Sequence, residues 1–196
     1  MAFRKLENID EKIIDATIAL SALQQGGRGF ATKDIAERCH ISEYVIFKHF
    51  GNKQTLLALA DKKVCQAITE GARDIAKREP DLQSFSASIL DWLIQHPDIT
   101  FFSLNFGHGV PHASETQLPN DAVCSKIWAE NGRYIFKADP SASDFDCAFA
   151  WHFLLRNLLD FAGFILLKNV EDTPEARALP LRILSEGISL EKEPSL

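Results

Sequence analysis

Apolar positions recur with the period of a helix along most of this chain. Ile9, Ile13, Ala16, Leu20 and Leu23 follow alternating steps of four and three, which puts them on one face of a helix predicted over residues 9–25. Asn8 with Glu11 has the form of a capping box at its start, and Gly26 and Gly27 tolerate the positive φ of a helix stop. Two short helices follow, over residues 32–38 and 42–50, with only Cys39, His40 and Ile41 between them. Ser42 is the predicted N-cap of the second, its hydroxyl accepting from a free backbone N–H. Asn52 then caps a longer helix that buries Leu56, Leu57, Ala60, Val64, Ala67, Ile68 and Ile75 and ends before Pro80. Residues 103–120 hold Gly107, Gly109, Pro111 and Pro119 and read as a loop or a broken helix. Helices resume near Ala122, over residues 143–169 and over residues 174–190, the last disturbed by Pro180. No strand pattern and no internal repeat is present. The expectation is an all-α protein in two parts, an N-terminal unit of three helices, residues 1–52, and a C-terminal helical part, residues 53–196.

Composition narrows the function. With 196 residues, 46% of them apolar and 24% charged, the chain has the make-up of a folded globular protein. The formal charge of −6 argues against coating nucleic acid through bulk positive charge. That acidity is uneven. The first 60 residues carry eight Lys/Arg against seven Asp/Glu, and the remainder thirteen against twenty, so any DNA contact must be local and N-terminal. The richest apolar stretch, residues 153–167, is interrupted by Arg156 and Asp160 and falls short of the roughly 20 apolar residues of a membrane span. Residues 1–10 lack the apolar core of a signal peptide, so the expected location is the cytoplasm. Cys39, Cys65, Cys124 and Cys147 show no metal-ligand spacing and read as small buried hydrophobes.

Two short helices joined by a three-residue turn have the form of a helix-turn-helix, whose second helix enters the DNA major groove. Ile35, Ala36, Ile41, Ile46 and Phe50 occupy the inner positions, which leaves Glu43, Tyr44, Phe47 and Lys48 on the outer face. Two aromatic rings on the outside of a short helix suit an apolar partner such as the thymine methyl groups of the groove.

The run DIAERCHISEYVIFKHF from Asp34 to Phe50, followed by GNKQTLL from Gly51 to Leu57, resembles the DNA-binding domain of the tetracycline-repressor (TetR) family of transcriptional regulators. The resemblance covers roughly the first 60 residues, with Ser42, Ile46, His49, Phe50 and Lys53 matching the family pattern. Where the family has a small residue, a Thr-like residue and a Tyr, this chain has Tyr44, Val45 and Phe47. Two hydroxyl donors to phosphate are thereby absent, each worth about 0.5 to 1.5 kcal/mol where such a bond forms. The resemblance implies that Glu43, Tyr44 and Lys48 read or flank bases, with Phe47 beside them. It implies that Thr32, Lys33, Ser42, His49 and Lys53 sit at the backbone. For Lys53 there is independent support, because it opens a helix whose free N–H groups favour an anion. Glu43 as a solvated charge and His49 as a structural histidine stay open beside those roles.

A helix-turn-helix head with a net charge near +1 binds weakly alone, which implies a homodimer on a palindromic operator with half-sites about 34 Å apart. The resemblance implies a helix-turn-helix DNA-binding domain over residues 1–52, a helical ligand-binding and dimerisation domain over residues 53–196, and a repressor released by a small, largely apolar effector. Residues 144–168 and 174–190 are the expected dimer helices, with Gly163 allowing close approach. Aromatic density between Trp92 and Phe106 suits an apolar pocket with a few polar groups. Its expected lining is Trp92, Phe101, Phe102, Asn105, Phe106, His108, Trp151 and His152, with Ser103 as a further polar group. Release is expected to run through the long helix that Asn52 caps, by linkage. No cofactor, metal or membrane partner is implied. Two alternatives differ in class. One is a helix-turn-helix protein acting through protein contacts alone. The weaker one is a metal-dependent hydrolase built on His96, His108, His112, His152, Asp91 and Asp98, against which the chain has no HExxH, GxSxG or phosphate-cradling glycine loop.

Overall fold

Two apolar clusters, joined by shared helices, organise the chain. The structure is a computed structural model that describes residues 4–23, 29–79, 81–106 and 120–186. Regular structure among them is helical throughout: α1 (Arg4–Leu23), α2 (Thr32–Cys39), α3 (Glu43–Phe50), α4 (Lys53–Ala76), α5 (Leu82–Gln95), α6 (Pro97–Phe106), α7 (Asn120–Ile135), α8 (Asp144–Leu166) and α9 (Pro174–Glu186).

The first cluster gathers Ile13, Ala16 and Leu20 of α1, Ile35, Ala36 and Cys39 of α2, Ile46 and Phe50 of α3, and Phe30 and Leu56. It is the core of a small three-helix head. The second gathers Ile18 with the lower part of α4, from Ala60 to Ile75, and with α5, α6 and α8. Helix α4 belongs to both, because Leu56 packs in the head and Ala60 onward in the larger body.

Helix α1 is buried on more than the one face its stripe predicts. Thr17 and Ser21 are buried beside that stripe and turn their hydroxyls onto the helix's own backbone, Thr17 to the Ile13 carbonyl at 2.7 Å and Ser21 to the Ile18 carbonyl at 2.5 Å. Small polar side chains that satisfy themselves in this way can be buried at little cost. Helix α6 packs along that second face.

Capping follows the sequence in some places and departs from it in others. Asn52 accepts from the Thr55 N–H at 2.8 Å, and Asp81 and Ser143 cap α5 and α8 in the same manner. Ser42 stands at the N-cap of α3, but its side chain makes no capping bond. Asn8 is no cap, since α1 begins upstream at Arg4. Residues 103–106, predicted as the start of a loop, are helical, and residues 107–119 lie outside the described residues, as do Gly26 and Gly27. Pro180 lies inside α9, which runs on past it to Glu186. Cys39, Cys65 and Cys147 are buried free thiols.

Helix α8 is longer than the stretch weighed in the sequence, and its 23 residues are long and apolar enough to cross a membrane. Its inner face is instead core, with Trp151, Leu154, Leu155, Leu158, Leu159 and Ala162 all buried against the other helices. Gly163, expected at a contact between subunits, packs inside the chain, where a Cβ would come within 2.8 Å of Leu104 on α6. Helices α7 and α8 meet closely at Gly132, where a Cβ would collide with the Cys147 carbonyl oxygen. That neighbour is backbone and cannot swing away.

Gly132→Ala should therefore destabilise the fold by about 3 kcal/mol or more, at or above the upper end of ordinary overpacking. Denaturant unfolding reads this directly, and a loss below about 1 kcal/mol would show that α7 is not seated on α8 as described.

Candidate nucleic-acid interface and effector cleft

The head presents α3 on its outside. Ile46 is fully buried and Phe50 nearly so, and with three to four residues per turn this forces positions 44, 47 and 48 outward. Tyr44 is 73% exposed and Phe47 44%, with Lys48 exposed beside them. Both ends of α3 are set by tight turns. His40 takes a left-handed conformation, and the His40 and Ile41 N–H groups donate back to Glu37 and Ala36. Gly51 follows α3 at φ 74°, a conformation that favours glycine, and hands the chain to α4.

Several residues expected at phosphates are tied into the head itself. The Thr32 hydroxyl donates to the Glu43 carboxylate at 2.5 Å, which clips the start of α2 to the start of α3. His49 is half-buried and pairs through Nδ1 with Asp10 on α1 at 2.6 Å. Lys53 donates to the Phe30 carbonyl and lies over the Phe30 ring, 4.6 Å from its centroid. An ammonium has three donors, so one such bond leaves Lys53 donors to spare. Lys33 is exposed and makes only a long surface pair with Glu37, at 3.7 Å. Ser42 is exposed. The nine residues thus fall into two sets: Tyr44, Phe47, Lys48, Lys33 and Ser42 are exposed, and Thr32, Glu43, His49 and Lys53 make contacts that hold the head together.

In the larger body a cleft open to solvent lies between helices. Asp61, Cys65, Ile68 and Thr69 of α4 form one wall, and Trp151, His152, Leu155, Arg156 and Leu159 of α8 the opposite one, with Ser103 of α6 and Trp128 of α7 between. Of the eight residues expected to line a pocket, Trp151 and His152 do so. Phe101 and Phe102 are buried core, Phe106 packs between the two clusters, and Asn105 is exposed. Trp92 stacks on His96 away from the cleft, with centroids 4.1 Å apart, and His108 lies outside the described residues. The lining drawn from α4 was not foreseen. Its signal was present in the polar residues Asp61 and Thr69, which interrupt the buried face of α4.

Inside the cleft, His152 stacks on Trp128 with centroids 4.9 Å apart. Burial pushes the His152 pKa below the ordinary histidine range, and the Arg156 charge one turn along adds to this. Thr69 is committed: its hydroxyl donates to the Cys65 carbonyl and accepts from the buried Asn131. The Trp151 Nε1–H is buried and meets no acceptor among the described residues. Nor do three or more His, Cys, Asp or Glu side chains gather there as a metal site among the described residues.

Residues 13–60 match the family described as bacterial regulatory proteins, tetR family. Two solved structures share the fold of nearly the whole chain. A TetR family transcription regulator from Marinobacter aquaeolei VT8, 16% identical, aligns over 93% of this chain and 95% of its own, with a TM-score of 0.59. The TetR family transcriptional regulator PfmR from Thermus thermophilus, also 16% identical, aligns over 92% and 96% with a TM-score of 0.51. A comparison with curated protein sequences gives no significant match.

The His152 shift has a pH consequence. Its folded-state pKa is depressed, so as pH falls through the ordinary histidine value of about 6.5 the unfolded chain takes up a proton that the folded chain resists, and stability drops. Denaturant unfolding at pH 7.5 and 5.5 should show a smaller acid loss for His152→Leu than for the wild type. Equal losses would mean that the imidazole is not held neutral by its surroundings.

Proposed function

We propose that this chain, a transcription regulator whose N-terminal domain is that of the tetR family, is a cytoplasmic repressor that binds a palindromic operator as a homodimer and is released by a small, largely apolar effector in the cleft. The observation that carries the DNA half of this reading is the outer face of α3. Tyr44, Phe47 and Lys48 stand in solvent on a helix whose other face is locked in the head's core, which is what a groove-reading helix needs. Tyr44 and Lys48 meet base edges and Phe47 the thymine methyl groups. Lys53 and Lys33 hold phosphates, Lys53 with the free N–H groups at the start of α4. Thr32, Glu43 and His49 keep α3 at its angle.

Dimerisation is supported by α8. Phe145, Phe149 and Phe153 recur every fourth residue, are each more than half exposed, and stack in sequence with centroids 6.1 and 6.5 Å apart. Leu179 and Ile183 on α9 add exposed apolar surface. Such a run of rings on one helix face is what a second copy would cover.

Effector release is supported by the way the helices are shared. Helix α4 carries one wall of the cleft and the capped turn that meets α3, and α6 carries Ser103 in the cleft and packs along α1. A molecule that binds better to one arrangement of α4 and α6 lowers DNA affinity by the same free energy that DNA binding costs it.

Selection from random duplex DNA should return a palindrome. Lys53→Ala should weaken binding to every sequence alike and reduce the slope of log K against log salt by about one. Tyr44→Ala should change the preference at one position per half-site. Phe149→Lys should give a folded monomer by sedimentation with DNA affinity lowered about 100-fold or more, because the second head no longer binds as part of the same molecule. If selection returns no sequence and binding stays flat with salt, the DNA reading is wrong and the exposed rings of α3 serve a protein partner.

A further inference from the structure

Of the four residues that sequence spacing places on the outer face of α3, Phe47 alone has a side chain that can neither donate nor accept a hydrogen bond. It is 44% exposed, and Tyr44, 73% exposed, stands one turn earlier at the i, i+3 spacing of neighbours on a helix face. The acidic residue of that first turn, Glu43, is engaged by the Thr32 hydroxyl. Lys48 beside Phe47 and Lys33 on α2 are exposed cations. Exposed rings flanked by ammonium groups complement a groove edged by phosphates. A tyrosine at position 47 could still reach a phosphate through its hydroxyl, whereas Phe47 has only its ring to offer.

The floor of the major groove gives such a ring little choice. Its base edges are hydrogen-bonding groups except at carbon 5 of the pyrimidines, where thymine carries a methyl group and cytosine a hydrogen. A polar edge pressed against Phe47 loses water and gains no partner, whereas a methyl group buries apolar surface on both sides. Phe47 therefore discriminates at carbon 5. It does not respond to the oxygen or amine at carbon 4, so it has no means of telling thymine from 5-methylcytosine, which carries the same methyl group on the same atom.

Resting on the DNA reading above, we propose that Phe47 senses a pyrimidine 5-methyl group, whichever base carries it, so that a duplex with 5-methylcytosine at that position is held more tightly than the same duplex with cytosine. This goes beyond thymine recognition, because it makes a modified cytosine a ligand of the head.

The test uses the full chain and the duplex returned by selection, with thymine replaced by uracil at one position per half-site at a time. Uracil differs from thymine by the methyl group alone, and losing the burial of one methyl should weaken binding about fourfold per half-site, or about 15-fold over the pair. At the sensitive position, 5-methylcytosine should bind more tightly than cytosine by the same factor. In Phe47→Ala, a change at an exposed position outside the head's core, both ratios should fall close to one. No thymine sensitive to uracil, a 5-methylcytosine duplex bound no better than its cytosine counterpart, or ratios that persist in Phe47→Ala would each overturn the proposal and leave sequence-specific binding standing. A selection that returns no sequence overturns the DNA reading, and this proposal with it.

Discussion

Burial of one side chain, Ile46, fixes what the outer face of α3 can do. It lies at the centre of the head's apolar cluster with Ile35 and Phe50, and because a helix offers no freedom of rotation once one face is packed, Tyr44, Phe47 and Lys48 have no inward alternative. The surrounding contacts are subordinate to that burial. Thr32 to Glu43 and His49 to Asp10 are polar clips across helix pairs already pressed together by apolar surface, and each adds angle and register more than energy. The exposed rings of α3 cost solvation in the free protein, which a partner of matching shape recovers.

The head is not an independent bead on a string. Phe30, which ends the segment before α2, is held from two sides: Lys53 of α4 lies over its ring, and Phe106 at the end of α6 meets it edge-on with centroids 5.4 Å apart. Phe106 in turn contacts Phe102, also at 5.4 Å, on the helix that brings Ser103 to the cleft. Ser21 of α1 adds a bond at 3.4 Å to the Asp98 carbonyl of α6. Two routes therefore join cleft and head, one along α4, as the sequence suggested, and one through α6 onto α1 and Phe30, which it did not. A shift of α6 is felt at the packed ring pair because close-packed side chains transmit displacement instead of absorbing it.

What could be read in advance divides along physical lines. The head was legible because its helices are short, amphipathic and bounded by turn residues, so that Ile13, Ile35, Ile46 and Phe50 fell where their period placed them. The Asn52 cap was legible for the same reason, being a local interaction. Ser42 shows the limit, since a residue suited to capping occupies the cap position and its side chain makes no capping bond. The second buried face of α1 was hidden because Thr17 and Ser21 are polar by type and become buryable only through bonds to their own helix. The cleft was hidden more deeply. Its walls come from α4 and α8, about 90 residues apart, and its site depends on which faces those helices turn to each other, a tertiary fact with no period in the sequence. Aromatic richness pointed to the right half of the chain but named Phe101 and Phe102, which are core, and passed over Trp128 and Arg156.

The central claim is that a pair of α3 helices, spaced by the body of the dimer, reads DNA at intervals of the duplex repeat. Hydroxyl-radical footprinting on a selected duplex tests it most directly. The account predicts two protected patches on one face of the duplex, centred about one helical turn or a multiple of it apart and related by the two-fold axis of the sequence. A single unpaired patch, or uniform protection without regard to sequence, would contradict it.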